Sequence, residues 1–585
     1  MRKILPTVKK SKITLYTHHA LPLQIPFITK ETESWFMSCF INVFYRYEFP
    51  TFYDYTDYNV FYRDIMYRDS LTYSTALTLN TRENFFSFIG DEKYIYAWVD
   101  QYYISATPYY QIEHNIHPIL IYGYDSSESV YLCRCFTAEK SVYDANVKCD
   151  EYHEALYNAG KNNDCINDDD VFCLFHVKPE VNANFIFENF IGELTDYTYG
   201  KGCNRGFYFS KNELFYDLED YNKNVFGIQV TEIFLNFLKN GGGRCVDYRL
   251  LHMICENKRL IAERLQYIVN TQCIIISDSL FSLVEQYKQL SQRYEQARLV
   301  SIKVGIKENK GDFLSSFLLN KEYTEELYFN LKKLYEEEYI LLKKIILELG
   351  DCFVQNKFRE MRIYKAEEHS SIKRISFKES RFIKNLVVFC TSSICRGKIL
   401  IDNQEIQTNN FSMCGRMFHV FKINREINLC EFHSDTYDSE DNICFYVLGD
   451  STSCATYEVS STFSGENENN ITVDNLVKLD NSFWCPEIMD NNPYIEINFN
   501  KDYPATAVFI HQHPLEKRVE GIEIYTFSQK DKWKLVAIAN GLLDKERIRV
   551  DFTELKAERF RIYFTNLVAD QNGYSIPNIT YAAIL

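Results

Sequence analysis

Apolar and polar positions recur along this chain with two different periods, and the period changes at definite places. The first strong apolar stretch, ETESWFMSCFINVFYRY within residues 28–48, predicts a helix. Residues 94–102, 116–124 and 129–136 are rich in β-branched and aromatic side chains. Asp125-Ser-Ser-Glu128 separates the last two as a tight turn, so they predict a hairpin. The polar stretch 145–170, with Gly160 and an Asp run, reads as a loop or insertion. From about 226 to 352 the spacing is helical. Leu280, Leu283, Val284, Tyr287, Leu290, Tyr294 and Ala297 form one apolar face, and Leu327, Leu331, Leu334, Ile345 and Leu349 another. Thr324-Glu-Glu opens the later helix, Gly350 stands where a helix-ending glycine belongs, and residues 303–320 read as the turn before it.

After residue 370 the pattern becomes alternation. RISFKES, LVVFCTS, GKILIDN, FHVFKI, NLCEFHS and ICFYVLG predict short strands of an antiparallel β domain. Residues 494–499, 506–511, 519–527, 533–537, 547–552 and 559–564 predict six more, a number that suits a β-sandwich or jelly roll. The fold class expected is α+β multidomain. The expected divisions are an α+β domain at 1–225, a helical domain at 226–365, a β-rich domain at 366–450 and a β-sandwich at 451–585.

Composition narrows the function. The 585 residues are 46% apolar and 25% charged, with only 21 Gly and 12 Pro, which excludes wholesale disorder and collagen-like repeats. Tyr and Phe number 44 each, so an aromatic stripe here reads first as core. The net charge of −16 repels phosphate backbones and argues against nucleic acid as a partner, while leaving a cationic amine welcome. No apolar run approaches the roughly 20 residues of a membrane span. No export signal is visible, so the 18 cysteines are expected to be reduced and mostly buried, in a cytoplasmic protein without a membrane partner.

The most informative chemical pair is Cys39 and His117. Cys39 falls in Ser34-Trp-Phe-Met-Ser-Cys-Phe40 within the first apolar helix. A thiol near a helix N-terminus feels the positive end of the dipole, which favours thiolate. His117 opens the strand HPILIYGYD. A thiol on a helix start facing an imidazole on a strand can take up an acyl group. Other clusters read as structural. His114 reads as a residue supporting His117 from behind or as surface, Cys133-Arg-Cys135 as buried strand cysteines, and His511-Gln-His513 as an isolated pair without further zinc ligands. Gly241-Gly-Gly-Arg244 lacks the Lys-Ser/Thr of a phosphate loop, and Asn167-Asp-Asp-Asp170 lacks calcium-loop spacing. No metal is expected.

Taken together, SWFMSCFINVFYRYEF, the Val99-Asp100-Gln-Tyr-Tyr103 segment and His117-Pro-Ile-Leu-Ile-Tyr-Gly-Tyr-Asp125 resemble the N-terminal domain of butirosin-biosynthesis-H-type acyltransferases of the C39-like and papain-like superfamily. Val246-Asp-Tyr-Arg-Leu-Leu251 and Glu256-Asn-Lys-Arg-Leu260 resemble the helical continuation of related proteins, so the likeness covers roughly residues 15–270. It extends to the cysteine-protease-like amide synthase of closthioamide assembly. The resemblance implies a papain-like domain that takes an acyl group from the phosphopantetheine thioester of an acyl or peptidyl carrier protein. It then passes the group to a small amine, a diamine for example, in the assembly of a peptide-type specialised metabolite. Cys39 would be the nucleophile and His117 the general base and acid, with no cofactor on the enzyme itself. The strand after His117 reads Tyr131-Leu-Cys-Arg-Cys-Phe136, with no acid, which leaves Asp100 or Asp125 to orient the imidazole, or a Cys–His dyad without a third member. Thr32-Glu33-Ser34 holds no glutamine, which leaves backbone amides or Ser38 to stabilise an oxyanion.

Farther on, Ser460-Ser-Thr-Phe-Ser-Gly465, Val473-Asp-Asn-Leu476, Phe483-Trp-Cys485, Pro493-Tyr-Ile-Glu-Ile-Asn-Phe499 and Arg559-Phe-Arg-Ile-Tyr563 resemble a discoidin-like, galactose-binding-like β-sandwich. Trp484 reads as core rather than as a sugar platform, and the domain as a docking or self-association module. Two other functions stay open. One is a cysteine peptidase or thioesterase releasing product to water. The other is a catalytically inactive glycan-binding protein.

Overall fold

The computed structural model describes residues 2–25, 30–46, 53–55, 65–137, 141–159, 171–178, 185–201, 224–240, 245–271, 274, 276–308, 316–318, 321–358, 361–366, 372–390, 397–406, 411–414, 418–434, 443–449, 455–463, 473–477, 483–514, 517–528, 532–543, 545–569 and 575–585. They form two compact units, Met1–Leu349 and Gly350–Leu585. The chain mixes helix and sheet, as the α+β expectation has it, with β-sandwich sheets in the second unit.

The first unit is built on an antiparallel sheet. Its strands are β1 (Arg2–Ile4), β4 (Met66–Leu71), β5 (Tyr94–Asp100), β6 (Ile116–Asp125), β7 (Val130–Thr137), β8 (Ser141–Lys148) and β9 (Phe172–Val177), in the order β4-β9-β5-β6-β7-β8. β5 pairs with the first part of β6, and β1 pairs with its last three residues. Gly123 permits this, because a Cβ there would lie 2.6 Å from the Lys3 carbonyl oxygen. The hairpin expected at residues 125–128 joins β6 to β7, with Asp125 opposite Val130. The stretch 145–170 is not simply a loop. Its first part finishes β8 and then forms a helix at Cys149–Ala159, which buries Cys149, Tyr152, Ala155 and Leu156 at helical spacing. The Asp run lies outside the described residues. Phe85 anchors this layer, with Tyr131, Tyr152, His153 and Phe172 between 5.0 and 6.0 Å from its ring.

The helices of the unit are α1 (Thr17–Ala20), α2 (Lys30–Met37), α3 (Tyr73–Thr78), α4 (Arg82–Gly90), α5 (Cys149–Ala159), α6 (Phe187–Thr198), α7 (Gln229–Asn240), α8 (Tyr248–Thr271), α9 (Asp278–Glu308) and α10 (Lys321–Lys357). A small sheet of β2 (Val43–Arg46), β3 (Tyr53–Tyr55) and β10 (Asn224–Phe226) lies after α2, and β11 (Cys245–Asp247) pairs with β12 (Ser316–Leu318). The apolar face expected on α9 is buried at Leu280, Val284, Tyr287, Leu290 and Tyr294. The expected helix end at Gly350 is a misreading, because α10 runs on to Lys357. Gly350 serves close packing instead: a Cβ there would meet the Phe389 ring at 2.9 Å.

Five helices converge on one fully buried carboxylate, Glu338 of α10. Tyr287 and Tyr294 of α9 donate to it at 2.9 and 3.0 Å, and Tyr197 of α6 at 3.2 Å. Lys258 of α8 lies 3.2 Å away, contacts the Tyr197 hydroxyl, and reaches Thr231 of α7 at 3.4 Å. Burial pushes the Lys258 ammonium below its usual range and the three phenols well above theirs.

In the second unit β13 (Arg362–Lys365), β14 (Ile372–Cys390), β15 (Gly397–Ile401), β16 (Gln404–Ile406), β17 (Phe411–Cys414), β18 (Phe418–Ser434) and β19 (Ile443–Gly449) form a sheet ordered β13-β19-β14-β18-β15-β16. Ile383, Leu386, Val388, Ile399, Phe432, Phe445 and Val447 share its apolar cluster. The last strands are β20 (Ala455–Val459), β21 (Tyr494–Gln512), β22 (Gly521–Ser528), β23 (Lys532–Asn540), β24 (Arg547–Thr565) and β25 (Ile579–Ile584), ordered β20-β21-β24-β22-β23 with β25 on β21. The six strands expected here are four. β21 and β24 each absorb two of them, and register shifts near Tyr503 and Ala507 change which side chains point inward. Ile495 and Ile497 before the shifts and Val508 and Ile510 after them therefore fill the same sandwich core, together with Trp484.

Two substitutions test this construction. Lys258→Met should cost about 3–5 kcal/mol, because it leaves a buried carboxylate without its cation. Lys258→Met combined with Glu338→Gln should recover part of that loss in urea unfolding, which gives the coupling directly. Gly227 sits at φ +61, where a Cβ would overlap the Tyr197 carbonyl oxygen. Gly227→Ala should destabilise the first unit by about 2–4 kcal/mol in the same assay.

Candidate functional site

Cys39 lies two residues beyond the end of α2, not at a helix start. Its amide donates to the Phe36 carbonyl at 3.1 Å, and Phe40 follows at φ +57, in the left-handed region. The expected dipole argument is therefore reversed, since the C-terminal end of a helix carries partial negative charge and disfavours thiolate. The correction arises because the apolar run continues past α2 into β2, and periodicity alone did not mark the turn between them.

A cation stands at this turn. Arg264 of α8 is fully buried, and its Nη2 donates to the Cys39 carbonyl at 2.5 Å and the Phe36 carbonyl at 3.3 Å. Its guanidinium lies 4.7 Å over the Phe36 ring. Nε and Nη1 have no hydrogen-bond partner among the described residues. Burial lowers the Arg264 guanidinium to about 10, while Tyr55, Glu193 and Cys39 act in the opposite direction. Asn257 of the same helix donates to the Ile41 carbonyl at 2.8 Å, and Glu193 accepts from the Ile41 amide at 3.4 Å. Ser38 is buried, and its hydroxyl donates to the Trp35 carbonyl at 2.9 Å, so it caps the helix rather than facing an oxyanion. Sequence reasoning missed Arg264. The available signal was its place on the apolar stripe Asn257, Ile261, Arg264, Ile268.

His117 is on β6 opposite Val99, with its ring stacked on Phe136 at 5.7 Å and tilted against Trp98 at 6.4 Å. Burial lowers its imidazole to about 4, and Nδ1 has no hydrogen-bond partner among the described residues. No described contact joins it to Cys39. Asp100 is fully buried on β5, but it holds His114 and not His117. His114 Nδ1 lies 2.7 Å from Asp100 Oδ2, and Oδ1 accepts from the Tyr102 amide. The His114 ring stacks on Tyr102 at 4.3 Å and is half exposed, so the imidazole that Asp100 orients is His114, which the sequence left as a supporting or a surface residue. Asp125 is at the far end of β6, eight residues from His117 and about 26 Å along a strand. It accepts from the Ser127 amide and hydroxyl at 3.0 and 2.5 Å, and so shapes the turn rather than orienting the imidazole.

A second imidazole–carboxylate cluster was not anticipated. His18 and His19 of α1 each place Nε2 2.6 Å from a different oxygen of Asp54 on β3.

The remaining candidates are structural. Cys133 and Cys135 are buried, and burial raises both thiols, Cys135 to about 12. His511 uses both ring nitrogens, with Glu546 at 2.9 Å and Thr580 at 2.7 Å. Trp484 is fully buried and donates to the Ser461 carbonyl at 2.9 Å, as a core residue does. On the outer face of β21, β24 and β23, Arg561 lies 4.3 Å from the Tyr494 ring and 4.2 Å from Trp533, and both Arg559 and Arg561 bind Glu496. Guanidinium groups thus occupy the aromatic faces there. Residues 167–170 and 241–244 lie outside the described residues.

No protein-family model matches the chain, and no curated protein is similar to it. Among solved structures, a Ruminococcus gnavus GH29 fucosidase in complex with fucose shares 15% identity over 23% of this chain, with a TM-score of 0.20. The chain spans 25% of that fucosidase's length. The family 32 carbohydrate-binding module of NanJ from C. perfringens, in complex with galactose, shares 16% identity over 23% of this chain and 93% of its own, with a TM-score of 0.20. A CBM32 module of GH89 from Clostridium perfringens shares 9% identity over 23% of this chain and 96% of its own, with a TM-score of 0.21. No helix among the described residues is long and apolar enough to cross a membrane.

The buried imidazoles set a pH dependence. His117 and His153 are both lowered to about 4 by burial, against 6.5 for a free imidazole. Between those values the unfolded chain binds protons that the folded chain refuses, so stability rises with pH. The first unit should lose stability steadily as pH falls from 6.5 towards 4. His117→Asn should flatten that slope in urea midpoints measured at several pH values.

Proposed function

We propose that this protein is a cysteine-dependent N-acyltransferase that moves an acyl group from a carrier-protein phosphopantetheine thioester to a small amine. The observation that carries the reading is Arg264, a buried permanent cation bound to the Cys39 carbonyl and coupled electrostatically to its thiol. A guanidinium at that place supplies what a helix N-terminus would have supplied, a field that favours thiolate. The sequence resemblance around Cys39 and His117 supports the same chemistry. The burial of Cys39, only 3% exposed, suits a reaction in which an amine must outcompete water.

The reaction has two halves. The Cys39 thiolate attacks the thioester carbonyl, the pantetheine thiol leaves with a proton from an imidazolium, and an acyl-enzyme remains. The amine then attacks the acyl-enzyme, an imidazole takes its proton, and Cys39 leaves as thiolate. His117 is the base that the resemblance assigns. His114, held by Asp100, is the base that hydrogen bonding favours. In this reading the discoidin-like sandwich serves docking or self-association.

The test is intact-mass spectrometry of the purified chain mixed with a simple acyl thioester. The wild type should gain one acyl group, and Cys39→Ala none. His117→Asn and His114→Asn separate the two bases, since only loss of the working base should slow acylation, by about 10²–10⁴-fold. Added amines should discharge the adduct as amide. Discharge to free acid alone would make the protein a thioesterase. Failure of the wild type to acylate with free and carrier-bound thioesters would remove the proposal.

A further inference from the structure

Two consecutive histidines, His18 and His19, close on one carboxylate, Asp54. His18 Nε2 and Asp54 Oδ2 are 2.6 Å apart, as are His19 Nε2 and Asp54 Oδ1. The Tyr55 amide, 2.7 Å from Oδ1, is the third donor to this carboxylate. We propose that His18, His19 and Asp54 are the protein ligands of a divalent transition-metal ion, zinc by preference, with a fourth position left for water or an incoming ligand.

The geometry is that of a gathered ligand set. One ligand atom from each residue lies within 4.8 Å of the others. Asp54 is 2% exposed and His19 fully buried, while His18 is 29% exposed, so the cluster is dry on one side and reachable on the other. The rings are held in place by aromatic neighbours. Tyr16 stacks on His18 at 5.1 Å, and His19 meets the edges of Phe40 and Tyr55 at 5.9 and 5.7 Å. Two ligands come from one turn of α1 and the third from β3, so the fold, not local sequence, brings them together.

The donor chemistry selects the ion. Two imidazoles and one carboxylate suit zinc and its neighbours, and disfavour magnesium and calcium, which prefer all-oxygen sets. Three protein ligands with an open position is also the pattern of reactive rather than purely structural zinc. In the metal-free arrangement each Nε2 can donate its proton to Asp54. Binding replaces those two hydrogen bonds by metal–nitrogen and metal–oxygen bonds, and each ring proton moves to Nδ1 or to solvent. Tetrahedral bonds of about 2.0–2.1 Å separate ligand atoms by about 3.3 Å. Each nitrogen–oxygen pair must therefore open by less than about 1 Å, a movement the partly exposed His18 can supply.

The 18 cysteines of the chain could bind zinc elsewhere, so the test uses cobalt as a spectroscopic probe. Chelator-treated full-length protein is titrated with Co²⁺ and followed in the visible and near-ultraviolet. The expected result is one tetrahedral Co²⁺ per chain, without thiolate charge-transfer bands, displaced by Zn²⁺. His18→Ala should weaken binding by about 100-fold with the circular dichroism unchanged. Asp54→Asn, which keeps the side-chain shape, should weaken it as much and gives the second reading. No uptake by the wild type at micromolar Co²⁺ would overturn the proposal. So would a spectrum dominated by thiolate ligation, or uptake indifferent to both substitutions. Because none of these readouts involves Cys39, the outcome stands apart from the acyl-transfer assay.

Discussion

The first unit depends on a buried carboxylate that it cannot leave without donors cheaply. Glu338 is enclosed by five helices and receives three phenolic hydroxyls and one ammonium. A carboxylate in such surroundings is tolerable only when its acceptor positions are filled by well-placed donors. Each donor comes from a different turn of a different helix or from two turns of α9, so the cluster fixes helix register as well as helix proximity. An apolar core would hold the helices together without saying which residue faces which. The cost of desolvating Lys258 and Glu338 is offset by that network, and removing any one member leaves the others exposed to the full penalty.

Helix α8 extends the same logic to the N-terminal part of the unit. Along one helix, Glu256 accepts from the Thr14 amide and hydroxyl at 2.7 and 2.6 Å, Asn257 binds the Ile41 carbonyl, Lys258 meets Glu338, and Arg264 clamps the Cys39 carbonyl. Glu256, Asn257 and Arg264 each secure a segment that has little regular structure of its own, while Lys258 ties α8 to α10. That explains how a turn after an eight-residue helix can hold a defined conformation without many backbone partners.

What the sequence disclosed follows from which interactions are periodic. The β6–β7 hairpin, the apolar face of α9 and the burial of Trp484 were legible because alternation, helical spacing and turn residues are local signals. The end of α2 was not, because β2 follows the turn with side chains as apolar as those of the helix. β21 and β24 were each read as two strands because Pro504 and the bulged residues look like turn punctuation, yet they only shift the register of one strand. At the candidate site, Cys39 and His117 were chosen by motif. Their neighbours, Arg264 at one and Phe136 and Trp98 at the other, come from remote parts of the chain or from rings that resemble ordinary core. Asp100 was recognised as a carboxylate that matters, but three residues of strand geometry gave it to His114.

Phe40 connects the two unusual clusters of this region. Its φ of +57 is costly for a residue with a Cβ, by about 1–2 kcal/mol. The return is a ring that packs against Trp35 and Phe36 on its own side of the turn and against His19 and Tyr55 on the other. Arg264 fixes the carbonyl on one side of the same peptide unit, and the Phe40 ring fixes the residue on the other. The backbone at Cys39 is thus held in place by its neighbours on both sides. For the acyl transfer proposed above, a backbone fixed in this way would keep Cys39 in position when its thiol changes charge or carries an adduct. The strain at Phe40 is in that sense part of the site. Relaxing it, for instance by Phe40→Gly, would ease the backbone but remove the ring that ties the Cys39 turn to His19 and Asp54.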